Sequence, residues 1–171
     1  MGLWDKLVKA KNYFTGGGAE VVLEFVDEPQ LRRPFKVQLF VRVKETDIEI
    51  DRICLVIKNL EEVVIKNVKV NRTTPGAGST QPGSVNKAND HKTVRESHVI
   101  TKAEIVLDEN VLLHANQEYD WQYEVQLPID GVNGYAGKYT KIYWTIQAYL
   151  EKAGNDPNSK LITFDPRYEI S

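Results

Sequence analysis

The sequence predicts an all-β protein: a two-sheet antiparallel β-sandwich preceded by one short N-terminal helix. Three observations carry this. From residue 19 onward apolar and polar residues alternate with a period of two, the pattern of strands with one buried face. No long helical pattern separates these runs, so neighbouring strands pair antiparallel rather than through crossovers. The 171 residues suffice for one domain with a full core, and no internal repeat or second domain interrupts them.

The elements follow in order. In Met1 to Phe14 a helical spacing gathers Leu3, Trp4, Leu7, Val8, Ala10 and Phe14 on one side, with Asp5, Lys6, Lys9 and Asn12 opposite. Gly16-Gly17-Gly18 stops the helix and hinges it, so residues 1–18 form helix and hinge and residues 19–171 the sandwich. Val21, Leu23 and Phe25 mark a first strand, closed at Glu28-Pro29. Phe35, Val37, Leu39, Val41 and Val43 alternate with polar residues, Phe40 being the exception on the polar side. Ile48 and Ile50 share one parity and Ile53, Leu55 and Ile57 the other, which calls for a bulge near Asp51-Arg52. Val63, Ile65, Val68 and Val70 change phase in the same way at Lys66-Asn67.

Residues 71–97 are rich in Pro, Gly, Ser, Thr and Asn and read as one long loop, the kind that serves function or stays disordered. Val99, Thr101, Ala103, Ile105 and Leu107 resume the alternation. Tyr119, Trp121, Tyr123, Val125 and Leu127 give a five-step inward face that Pro128 ends, because proline cannot donate to the ladder. Thr140, Ile142, Trp144, Ile146, Ala148 and Leu150 give another, and Leu161 to Phe164 a last short strand. Trp121 and Trp144 face inward by phase and are expected to anchor the core.

Composition narrows the function classes. A net charge of −2 argues against a nucleic-acid binder, so the aromatic runs read as packing rather than a base-stacking platform. No apolar run is long enough to span a bilayer, and the N-terminus lacks the pattern of a secretory signal. The single cysteine, Cys54, lies in an apolar run, reads as a buried hydrophobe and fits a reducing cytoplasm.

No catalytic or metal-ligating constellation is legible, and no cofactor is expected. His91, His98 and His114 have no metal-ligand spacing and no second cysteine to join, so they read as turn or surface residues. Asn155-Asp156-Pro157-Asn158-Ser159 offers oxygens but lacks the charge and closing glutamate of a calcium loop, and reads as a hairpin turn.

The segment His114 to Leu150 resembles the second half of an arrestin N-terminal domain. The resemblance rests on Gln117-Glu118-Tyr119 leading into Trp121, Tyr123 and Leu127-Pro128, then a loop, then Tyr143-Trp144-Thr145-Ile146-Gln147-Ala148-Tyr149-Leu150. Arg33-Pro34-Phe35-Lys36-Val37 and Ile53 to Ile57 are more loosely similar to the family's early strands. It is greatest with the prokaryotic sporulation-control relatives, which also begin with a short helix. The chain departs from two-domain arrestins in having room for one sandwich, and in carrying Asp130-Gly131-Val132-Asn133-Gly134 where the family has a proline-rich loop. The resemblance implies an immunoglobulin-like, arrestin-like sandwich with a non-enzymatic adaptor or regulatory role.

The expected partner is therefore another protein, met by the 71–97 loop, an edge strand or the N-terminal helix. For the helix the contact residues are Leu3, Trp4, Leu7, Val8 and Phe14, spaced as helix-in-groove anchors. The alternative is peripheral membrane contact by the same residues, with lysines meeting anionic lipid. A third reading packs the helix on its own sandwich.

Overall fold

The computed structural model describes residues 14–16, 18–69 and 91–166, and every regular element among them is a strand. These are β1 (Phe14–Gly16), β2 (Ala19–Phe25), β3 (Pro34–Val43), β4 (Ile48–Lys69), β5 (His91–Leu113), β6 (Glu118–Gln126), β7 (Tyr135–Ala136), β8 (Thr140–Glu151) and β9 (Ile162–Phe164). One sheet has the order β1-β2-β3-β6; the other runs β5-β4-β8, with β7 and β9 both paired to β8. Every pairing is antiparallel, so the predicted two-sheet sandwich is the observed architecture.

The alternation read from the sequence places the core. Phe35, Val37, Leu39, Val41 and Val43 of β3 are buried and meet Ile53, Leu55 and Ile57 of β4 and Trp144, Ile146, Ala148 and Leu150 of β8 in one apolar cluster. Trp144 is fully buried, whereas Trp121 is only partly covered and stacks on Tyr119 at 5.3 Å. The reason is position: β6 pairs with β3 alone and forms the edge of its sheet. At the opposite side Phe25 of β2 meets Phe164 of β9 edge-on at 5.0 Å, tying the two sheets together.

Both predicted phase changes exist. Ile50 and Ile53 are both buried, so the phase changes between them, but the register slip nearby falls between Ile53 and Cys54 and its extra residue is Leu107 of β5 rather than one at Asp51-Arg52. A further slip between Ile65 and Val68 sets Lys66 and Asn67 against one residue of β5, and Asn67 takes φ 61°, which asparagine tolerates better than most residues.

Four expectations are corrected. Residues 91–97 are not loop but the start of β5, paired with β4 as far as Lys69–His91. Val99 is exposed rather than inward, because the register slips between Asn59 and Leu60, beside it. Phe14, expected in the helix, lies in β1 opposite Val21. Gly16 pairs with Ala19 and Gly18 takes φ 95°, so β1 and β2 form a hairpin in place of the expected hinge. The rest of the expected helix lies outside the described residues.

Candidate interaction surface

β8 accompanies β4 only from Arg52 to Val63. Beyond that point β4 and β5 run on as a two-stranded ribbon to Lys69 and His91. A ribbon two strands wide buries neither face, and its side chains show it: Ile65 and its partner Val94 are both exposed.

Beside the foot of this ribbon lies the connection from β6 to β8, residues 127–139. Its backbone is fastened at several points. Asn59, fully buried on β4, accepts the Val132 N–H through Oδ1 at 3.0 Å and donates through Nδ2 to the Tyr143 carbonyl at 3.3 Å. Trp144 Nε1 donates to the Val132 carbonyl at 2.9 Å, so both polar groups of one backbone residue are held by core side chains. Thr101 Oγ1 lies 3.0 Å from each carboxylate oxygen of Asp130. The Val64 N–H donates to the Tyr139 carbonyl at 2.7 Å, joining the far end of the connection to the ribbon.

This braced segment carries apolar side chains outward. Ile129 is 81% exposed, and Val132, Tyr135 and Tyr139 are exposed as well. With Ile65, Val94 and Val99 they make seven of the eleven exposed large apolar residues among those described, gathered at one end of the sandwich. Val94 and Val99, five residues apart on β5, point to opposite faces of it, so both faces of this end carry exposed apolar side chains. Loops held on a rigid scaffold are where contact residues concentrate.

The other candidates resolve into structural roles. Cys54, Glu104 and Glu151 bring ligand-type atoms within 4.8 Å of one another. Arg52 supplies a positive charge there, 2.6 Å from Glu151 and 3.9 Å from Glu104, and burial pushes the Cys54 thiol up to about 11. His98 stands exposed on β5 opposite Glu61. His114 lies in the turn before β6, with Nδ1 3.3 Å from Asp47. The Ala115 N–H and then His114 hold the Asp47 carboxyl below its ordinary value. The expected turn lies earlier than Asn155 to Ser159: the chain bends at residues 153–155, with Asp156 accepting the Lys152 N–H at 3.0 Å. Pro157 to Ser159 already run back along β8, the Leu150 N–H reaching the Pro157 carbonyl at 2.9 Å and Asn158 bridging Tyr149.

Of the contact residues expected from the sequence, Leu3, Trp4, Leu7 and Val8 lie outside the described residues, and Phe14 is placed in β1. The 127–139 connection was missed as a contact element, although Ile129 and Val132 beside Pro128 and Gly131 were a readable sign of apolar residues in a turn.

No family model matches the chain, and no curated protein matches it in sequence. Among solved structures it is similar to Spo0M, a sporulation control protein from Bacillus subtilis, with a TM-score of 0.55 at 14% identity. The match covers 90% of this chain and 51% of that one, so the chain spans about half the length of Spo0M. The likeness shows a shared fold. Among the described residues no helix is long and apolar enough to cross a membrane.

Proposed function

We propose that the protein is a non-enzymatic interaction module of the arrestin-like type, working in the cytoplasm, that meets a protein partner with the end of the sandwich carrying the ribbon and the 127–139 connection. One observation carries the reading: seven exposed large apolar side chains gather there, on the ribbon and its foot and on a loop fastened to the core, beside β5, which pairs with β4 alone among the described residues. An unpaired strand edge can add a partner strand through main-chain bonds, while Ile129 and its neighbours supply side-chain contacts. The resemblance of His114 to Leu150 to arrestin domains, and the fold shared with a sporulation control protein, support a regulatory role.

The test is a crosslinking capture from the native cell with wild type and an Ile129→Asp/Tyr139→Asp variant. Both side chains are exposed, so the melting temperature is expected to hold while a specific partner is lost. Capture of the same partners by a normally folded variant would refute the assignment of this surface.

A further inference from the structure

Phe40 is out of place by sequence and by structure. It stands on the outer face of the β1-β2-β3-β6 sheet, directly opposite Val22, with Asp120 next in the row. The same face carries Glu20, Glu24, Gln38 and Arg42, none of them fully buried, and the exposed β6 residues Glu118, Asp120, Gln122 and Glu124. A phenylalanine among such neighbours on a solvent-facing sheet should remain substantially accessible. Instead Phe40 is 8% exposed and Val22 1%. The two form an apolar cluster separate from the core, and no other buried apolar residue among those described joins it.

We propose that this face is the dock of the chain's own N-terminal segment, residues 1–13, laid across the sheet as an amphipathic helix with Leu3, Trp4 and Leu7 toward Val22 and Phe40. Connectivity brings the segment there: β1 joins the edge of this sheet at Phe14, opposite Val21 and one residue from Val22. Length suits the span. Thirteen helical residues reach about 20 Å, against about 14 Å for the three strand spacings from β1 to β6. Charge is compatible. The face is acidic, holding Glu20, Glu24, Glu118, Asp120 and Glu124 against Lys36 and Arg42. At helical spacing Lys11 falls on the same side as Leu3, Trp4 and Leu7, toward it, while Lys6 and Lys9 lie away. The occupant is thus the same molecule, and the dock lies on a different surface from the proposed partner contact.

Amide hydrogen exchange on the full chain, measured at several protein concentrations, tests this. Residues 1–13 are expected to exchange at least about tenfold more slowly than an unstructured chain, at a rate independent of concentration. Phe40→Glu is expected to abolish that protection while β3 and β6 amides keep theirs. Should that variant misfold, Leu3→Ser/Leu7→Ser leaves the sandwich residues untouched and is expected to release the segment equally. An unprotected segment in the wild type, or protection that survives the folded variants, overturns the proposal. Protection that rises with concentration overturns it too, by making a second copy the occupant.

Discussion

The six-membered ring of Trp144 fills the space that a side chain on Gly131 would need: a Cβ built there would overlap its Cη2 and Cζ2 atoms. The same indole donates to the carbonyl of the next residue, Val132. Core packing and loop anchorage are therefore one contact.

Gly131→Ala should force either the ring or the loop to move. Overpacking of this kind costs about 1–3 kcal/mol. Chemical denaturation reads the loss, and a shift in tryptophan emission shows that the indole has moved. Unchanged stability and emission would mean that the loop yields freely.

The two inward tryptophans should not be equivalent. Trp144→Ala is expected to cost about 3–5 kcal/mol, as for other fully buried aromatics. Trp121, partly covered on the edge strand, has less to lose, and its alanine variant should cost roughly half as much. Equal losses in denaturant titrations would contradict the edge position of β6.

Alkaline pH should weaken the fold in two steps. Burial, the largest influence on each, pushes the Cys54 thiol up to about 11 from 9.0 and the Tyr123 phenol up to about 12 from 10.0. Above its ordinary value each group loses its proton in the unfolded chain but keeps it in the folded one. The unfolded state then binds fewer protons, so stability falls as pH rises. Melting temperature should hold to about pH 9, decline between 9 and 11 with the thiol, and decline further toward 12 with the phenol. Cys54→Ala should remove the first part. Tyr123→Phe should remove the second and leave neutral-pH stability unchanged or slightly higher, since the Tyr123 hydroxyl is buried without a hydrogen-bond partner.

Residues 70–90 connect two strands that are already paired at Lys69 and His91. The register of the ribbon therefore does not depend on what joins its ends. Replacement by a short Asn-Gly turn should leave the melting temperature nearly unchanged, because closure entropy changes only slowly with the length of a connection. A large drop would show that the segment packs against the domain.

Alternation in the sequence reported burial, so it located elements only where one face is buried. β3 and β8 were legible residue by residue because one of their faces lines the core. Lys92 to Ser97 show no period, since the ribbon has no dry side to impose one, and their strand was invisible for that reason. The clamp on Val132 was hidden differently. Asn59 lies in the middle of a long strand and acts through its amide, so its role appears only when β4 passes the loop. Phe40 was legible as an exception, and an exception in a pattern this regular was itself the signal.

The fastening of Val132 by Asn59 and Trp144 also bears on how fast a partner can bind. A contact loop that must first find its shape adds an ordering cost and a slow step to every encounter. At the contact surface proposed above that cost would fall at folding, and Ile129 would meet an incoming molecule already in place. Association through this end should follow a single exponential at about 10⁵–10⁷ M⁻¹s⁻¹, set by collision and orientation alone. Loosening the clamp with Asn59→Ala should slow arrival more than it hastens departure.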